Sequence, residues 1–355
     1  MEKRILMKGN EAMAEGAILA GCRYYFGYPI TPQNEVPAYM ARRMPEVGGV
    51  FVQAESETAS INMVYGASGA GARVMSTTSS PGYSLMQEGI SYISGARLPC
   101  VLANVQRGGP GLGNINASQG DYFQAVKGGG HGDYRLIVLA PFSAQEMMDL
   151  TMLGFDLADQ YRVPALILSD GIIGQMMEPV VLREARKEAL PEKPWALTGA
   201  AGREKNIVRS LWLSENGVWD NNMLLQKTYA EITKNEVRFD NYHADGAKIV
   251  CIAYGSSARI VRGAVDIARA EGISVGLLRP VTLYPYPSLE IDRLIRAGAK
   301  AFLTVEQSAG QMVEDVRLAV NGRVPVEFYG ELGGRQPREE QVLENIRVLA
   351  RGIQE

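Results

Sequence analysis

The sequence predicts an α/β protein whose parallel sheets are covered by helices, divided into a larger and a smaller unit. Short apolar runs of strand length alternate with helix-length segments, first up to about residue 170 and again from residue 248. Loops of Gly, Ser and Pro follow the strand ends, which is where open α/β sheets bind ligands. A chain of 355 residues is long enough for two domains, each with its own core.

Taken in order, Asn10 is placed to cap a helix with Glu11 in its first turn, running to Gly21. Cys22 to Phe26 reads as the first clear strand and delivers the loop Gly27-Tyr28-Pro29-Ile30-Thr31-Pro32. Prolines on both sides of Thr31 stiffen that loop. It either presents a hydroxyl beyond the strand's edge or simply turns into the helix expected from Gln33. Val50 to Val52 reads as a buried strand, and Ser56 with Glu57 opens a helix rich in Ala, Ser and Gly. Arg73 to Thr77 is the next strand, followed by the polar loop Thr78-Ser79-Ser80-Pro81-Gly82. This is a βαβ unit with one carboxylate at its mouth. On these residues alone, Glu57 either complements the helix N-terminus or faces a ligand.

Leu98 to Val105 is a strand ending at Gln106-Arg107, and Gly108 to Asn114 follows as a glycine-rich loop. An arginine at a strand end beside mobile backbone suits a bidentate grip on a carboxylate. The stretch GPGLGN is not a nucleotide fingerprint, because Pro110 interrupts it and no helix opens on its glycines. Ser118 to Val126 holds a short helix, and His131 reads as a surface histidine in a glycine-rich turn. Leu136 to Leu139 is a strand, Ser143 caps a helix to Tyr161, and Pro164 to Leu168 is a strand ending in Ser169-Asp170-Gly171. Asp170 reads as a strand-end turn residue, since the asparagines that could complete a metal–diphosphate motif come only at 221 and 222.

From Glu178 to Ala244 the periodicity weakens, and all three tryptophans fall there, with one helix expected around Met223 to Asn235. A second unit then starts with a strand at Lys248 to Tyr254, a turn at Gly255-Ser256-Ser257 and a helix from Ala258. Strands at Ile273 to Leu278, Lys300 to Val305 and Val324 to Phe328, with a helix at Gln311 to Val320, complete a small parallel sheet.

A net charge of −3 gives no electrostatic reason to expect nucleic acid or a membrane surface as partner. The three cysteines are far apart, with no CxxC pair, and suggest neither a disulfide framework nor a metal or iron–sulfur site. No signal peptide and no apolar run of spanning length is seen, so a cytoplasmic chain is expected.

Several stretches coincide with one family. GNEAMAEGAILAGCRYYFGYPITPQNE, QAESETASINMVYGASGAGAR, TTSSPGYSLMQEGISY and NVQRGGPGLGN resemble the α-type subunit of 2-oxoacid:ferredoxin oxidoreductases, with the 2-ketoisovalerate branch nearest and the 2-oxoglutarate branch next. The resemblance covers essentially the whole chain. It implies a thiamine-diphosphate-binding fold: a pyrimidine domain with a parallel sheet and helices on both faces over residues 1–178. A connecting segment packed on it at 179–245 and a smaller, transketolase C-terminal-like α/β domain at 246–355 would follow.

The same resemblance implies CoA-dependent oxidative decarboxylation of a 2-oxoacid, with reduction of ferredoxin. Glu57, rather than Glu55, matches the carboxyl that meets the thiamine pyrimidine. Thr31 and Arg107 match residues that meet the oxoacid carboxylate, and Ser79, Ser80 and Gly82 would line the pyrimidine pocket. No metal ligand is implied in this chain. A β subunit would hold the diphosphate, with magnesium and an iron–sulfur cluster in partner subunits, beside ferredoxin-like and γ-type subunits. Apolar Ile30, Leu112 and Ile115 suit a branched aliphatic substrate as well as a core. No coenzyme A signature is found. A non-catalytic scaffold that docks a ferredoxin-like or CoA-binding partner is the rival reading.

Overall fold

The computed structural model describes residues 4–354. The chain opens with β1 (Arg4–Lys8), α1 (Gly9–Leu19), β2 (Tyr24–Gly27), α2 (Glu35–Glu46), β3 (Val50–Gln53), α3 (Glu57–Gly69), β4 (Val74–Thr78), α4 (Pro81–Gly95) and β5 (Val101–Gln106). It continues through α5 (Tyr122–Val126), β6 (Ile137–Leu139), α6 (Ala144–Tyr161), β7 (Ala165–Asp170), α7 (Gly171–Gln175) and β8 (Met177–Val181). Residues 182–216 carry neither helix nor strand; α8 (Gly217–Asn235) and β9 (Phe239–Tyr242) follow. The last part holds β10 (Ile249–Ile252), α9 (Gly255–Ala270), β11 (Val275–Pro280), β12 (Thr282–Tyr284), α10 (Ser288–Arg296), β13 (Ala301–Glu306), α11 (Met312–Val320), β14 (Val326–Gly330) and α12 (Glu339–Gln354).

A seven-stranded sheet has the order β12-β6-β7-β5-β4-β2-β3, parallel except where β12 meets β6. A five-stranded sheet has the order β14-β13-β10-β11-β9, parallel except where β9 meets β11. β1 and β8 form a separate antiparallel ribbon. Strand alternation puts Val101, Ala103 and Val105 of β5 into one core with α1, α2 and α6, and Leu102 into another with α3 and α4. Both faces of the larger sheet are therefore covered, as a parallel sheet requires. The second core runs on into β10, β13 and α11, while α9 and α12 cover the other face of the smaller sheet. No helix among the described residues is long and apolar enough to cross a membrane.

Several elements depart from the sequence reading. Asn10 does not cap α1, which begins at Gly9; its side chain is buried and donates to the Pro32 carbonyl (2.8 Å) and to Glu35 (2.9 Å). β3 is an edge strand with Val50 42% exposed, not a buried one. Pro81 and Gly82 already lie in the first turn of α4, and Gly255 to Ser257 in the first turn of α9. The ribbon strands, β9, β12, α7, α10 and α12 were not expected, because each is short or takes its stability from packing on a distant element.

Asp170 does more than end a strand. Its Oδ1 accepts the Ile172 and Ile173 amides (both 3.1 Å), capping α7, while its Oδ2 accepts the Ser256 amide (2.8 Å) at the start of α9. A Cβ on Gly255, whose φ is +56°, would stand 2.6 Å from that Oδ2. Glycine is needed there both for the backbone angle and for the contact. Burial pushes the Asp170 carboxyl up from its ordinary range, and the amide donors from Ser256, Ile173 and Ile172 pull it back. Asp170→Asn loses one of the two acceptor oxygens. It should destabilise the fold by about 2–3 kcal/mol, read as a lower denaturation midpoint and faster amide exchange at the start of α9.

Candidate active site

The C-terminal ends of β2, β4, β5 and β7 lie at one edge of the larger sheet, and the loops that leave them converge. Ser56 caps α3, its Oγ accepting the Ala59 amide at 3.2 Å, so Glu57 is the first helical residue. Glu57 is 5% exposed, yet its carboxyl has no hydrogen bond or ion pair with any described residue, whereas Glu55 is exposed. The first turn of α4 passes directly over it. A Cβ on Gly82 would stand 2.3 Å from Glu57 Oε1 and 2.1 Å from Thr78 Oγ1, so only glycine admits the carboxyl in this place. Just before that helix, at the end of β4, Thr78 Oγ1 and Ser79 Oγ are buried without a hydrogen-bond partner among the described residues. Buried polar groups without partners are costly unless another group completes their hydrogen bonds.

Ser80 links this corner to Arg107. Its backbone sits at φ +26°, ψ −82°, a region that costs a non-glycine residue about 1–3 kcal/mol. Four polar contacts hold it there: the Ser80 amide donates to Asn104 Oδ1 (2.8 Å), its hydroxyl lies within reach of Asp121 Oδ2 (2.6 Å) and the Arg107 carbonyl (3.3 Å), and it accepts the Arg107 amide (3.0 Å). Burial pushes the Asp121 carboxyl up, while the donors Ser80 and Asn104 pull it down.

Arg107 is 8% exposed and has no acidic partner among the described residues. Nη1 donates to the Thr31 carbonyl (2.9 Å) and Nη2 to the Leu112 carbonyl (3.1 Å), and Nε is buried without a partner. Peptide carbonyls orient a guanidinium but do not neutralise it, so a positive charge is held here ready for an anion. The Thr31 hydroxyl instead accepts from Asn34 (3.3 Å). Its loop is anchored by Gln33, which accepts the Thr77 hydroxyl (2.5 Å), and by Asn10 and Gln175, which both donate to the Pro32 carbonyl.

A cavity of about 410 Å³ opens beside Arg107 and Ser80, walled by Gly108 to Gly111 and Asp121 from the first part of the chain and by Gln307, Gln311 and Leu332 from the last. Arg107 and Asp121 are the ionisable residues that line it. The structure thus brings Ser80 and Arg107 together in the cavity, Thr31 against Arg107, and Glu57 against Gly82. Glu57, Ser79, Gly82 and Thr31 are not part of that wall. Ile30 is half-buried, and Leu112 and Ile115 are exposed on the glycine-rich loop. Asn104 and Asp121 were missed in the sequence; an asparagine inside the apolar strand VLANV was the available signal.

Residues 15–217 match the thiamine diphosphate-binding family of pyruvate flavodoxin/ferredoxin oxidoreductases, and residues 247–342 match core domain II of pyruvate:ferredoxin oxidoreductase. The chain is 53% identical to ketoisovalerate oxidoreductase subunit VorB of Methanothermobacter thermautotrophicus, covering 97% of each chain. It belongs to the 2-oxoacid:ferredoxin oxidoreductase family. It is also 38% identical to the 2-oxoglutarate synthase subunit KorA of Methanocaldococcus jannaschii, over 95% of this chain and 97% of that one. Among solved structures it resembles the 2-oxoglutarate:ferredoxin oxidoreductase of Magnetococcus marinus, with TM-score 0.88 and 28% identity over 98% of this chain and 66% of that one. That structure holds 2-oxoglutarate, coenzyme A and succinyl-CoA. A split-gene transketolase (TM-score 0.61, 14% identity, 97% of this chain and 98% of that one) shares the fold alone. The thiamine-diphosphate-binding α/β fold expected from the sequence is the one observed, and the chain is an oxidoreductase subunit.

In this oxidoreductase subunit, Gly82→Ala should leave α4 helical but displace the Glu57 carboxyl. Turnover of the assembled enzyme should fall about a hundredfold, the penalty expected for a misplacement of about 1 Å, and a structure of the variant should place the Glu57 carboxyl away from α4.

Proposed function

We propose that this chain supplies the pyrimidine-facing half of a thiamine-dependent site that oxidises a branched-chain 2-oxoacid of the 2-ketoisovalerate type. The reaction takes the 2-oxoacid, coenzyme A and oxidised ferredoxin to acyl-CoA, carbon dioxide and reduced ferredoxin. One observation carries the reading: the buried, unpartnered Glu57 carboxyl in a domain of the thiamine diphosphate-binding family. The orphaned Thr78 and Ser79 hydroxyls at the end of β4 fit a nitrogen-rich ring, and Ser80 and Gly82 are proposed to line that pocket. When bound, thiamine diphosphate supplies the nucleophilic carbon that activates the keto group.

Glu57 holds a proton between its carboxyl and the pyrimidine ring, sustaining the tautomer that the chemistry needs. Arg107, assisted by the Thr31 hydroxyl, orients the oxoacid carboxylate. That grip is made with the bound substrate and weakens as the carboxylate leaves as carbon dioxide, so Arg107 serves binding and orientation rather than transition-state stabilisation. A branched aliphatic substrate is supported by the VorB relatives and by a cavity wall with a single cation, since a dicarboxylate needs a second.

Residues 1–178 are proposed as the pyrimidine domain, 179–245 as the connecting segment and 246–355 as the transketolase C-terminal-like domain. Partner subunits are proposed to complete the enzyme in the cytoplasm: a β subunit holding the diphosphate, with magnesium and an iron–sulfur cluster, together with ferredoxin-like and γ-type subunits. The cysteines of this chain support that division. Cys22, Cys100 and Cys251 are buried, and burial pushes each thiol up to about 12, away from the thiolate that a cluster requires.

Glu57→Gln should lower kcat of the reconstituted complex by about 10²–10⁴-fold with little change in KM for the oxoacid. Normal turnover would instead support a scaffold role. Arg107→Ala should raise that KM by about tenfold to a hundredfold, with 2-ketoisovalerate, 2-oxoglutarate and pyruvate compared as substrates.

A further inference from the structure

We propose that Asp121 is a positioning residue for the oxoacid site, acting through the hydroxyl of Ser80. The inference rests on the role given above to Arg107. Ser80 has one hydroxyl proton and two acceptors within reach, Asp121 Oδ2 at 2.6 Å and the Arg107 carbonyl at 3.3 Å. The shorter, charge-assisted bond to Asp121 wins, which leaves the Ser80 lone pairs facing the Arg107 amide at 3.0 Å. Asp121 therefore decides which way the hydroxyl points, and the hydroxyl decides where the Arg107 backbone stands. The same Oδ2 accepts the Asn104 side-chain amide (2.9 Å), and Asn104 Oδ1 in turn accepts the Ser80 amide. One carboxylate oxygen thus closes a ring of hydrogen bonds around the most strained non-glycine backbone in the site.

The ring is tied to the second part of the chain as well. The Asp121 amide donates to Gln106 Oε1 (3.1 Å), and the preceding Gly120 carbonyl accepts from Gln311 (2.6 Å) across the cavity. Asp121 also lines the cavity itself, opposite no basic group other than Arg107. Without the carboxylate, the Ser80 proton turns to the Arg107 carbonyl and the Arg107 amide loses its acceptor. The Arg107 backbone is then no longer fixed, and the guanidinium, still bonded to the Thr31 and Leu112 carbonyls, shifts with it.

The test uses Asp121→Ala, Asp121→Asn, Ser80→Ala and the Asp121→Ala/Ser80→Ala double variant in the reconstituted complex. Asp121→Ala should raise KM for the oxoacid by about tenfold to a hundredfold with kcat changed less. Asp121→Asn keeps an acceptor oxygen and should fall between it and the unmodified protein. Because Asp121 acts through Ser80, the double variant should be no worse than the poorer single variant. In the full chain alone, without cofactor or partner, Asp121→Ala should speed hydrogen exchange of the Arg107 amide and leave β5 before it unchanged. Unchanged KM and unchanged Arg107 exchange would overturn the positioning role, as would additive single-variant effects. Glu57→Gln, run beside them, separates the two readings. Its loss of turnover with normal Asp121 variants overturns only the role of Asp121, and its normal turnover overturns the thiamine reading on which both depend.

Discussion

One buried side chain, Gln119, makes more bonds across the seam between the two sheets than any other group described there. Gln119 donates from Nε2 to the Tyr254 carbonyl (2.9 Å) and towards Asp170 (3.4 Å), and its Oε1 accepts the Ser257 hydroxyl (2.8 Å) and the Gln307 amide (3.1 Å). Its own amide donates to the Gln307 carbonyl at 2.9 Å. A buried amide satisfied on every side is rigid, because moving it leaves several groups unpaired at once. This seam fixes the loop from Ser118 to Asp121 against the strand end at Glu306 to Ser308, and the cavity beside Arg107 exists because its two walls cannot drift apart.

Against that rigid seam stand groups that the chain leaves incomplete. Among the described residues, Arg107 is a buried cation without an acid, and Glu57 is a buried carboxyl without a donor. Elsewhere the protein pairs its buried charges: Arg73 meets Asp156 and Asp159, Arg279 meets Glu146, and Glu306 accepts three amides at the start of α11. The contrast matters, since a buried polar or charged group left without partners opposes folding. The strained Ser80 lies between the two, held by its neighbours rather than by its own backbone preference.

Helix starts were legible where the cap acts within one turn. Ser56 and Ser143 cap α3 and α6 as expected, each accepting an amide three residues on. Asn10 misled because a cap and a core bridge use the same amide side chain; the deciding partners, Pro32 and Glu35, are far along the chain. Asp170 was read as a turn residue, which holds for α7, but its bond to Ser256 spans 86 positions and no local pattern encodes it. The amphipathic helices α10 and α12 went unread beside the stronger alternation of the strands around them.

Local chemistry in the sequence was sufficient for the alternating strands and helices, the loops at the strand ends and the motifs that carry the family. These follow from capping, periodicity and turn residues, whose effects reach only a few positions along the chain. Tertiary structure alone decided that Gly82 makes room for Glu57, that Arg107 meets the carbonyl rather than the hydroxyl of Thr31, and that Asp121 orients Ser80. Each of those depends on atoms from distant segments approaching to about 3 Å, where hydrogen bonding and steric exclusion act.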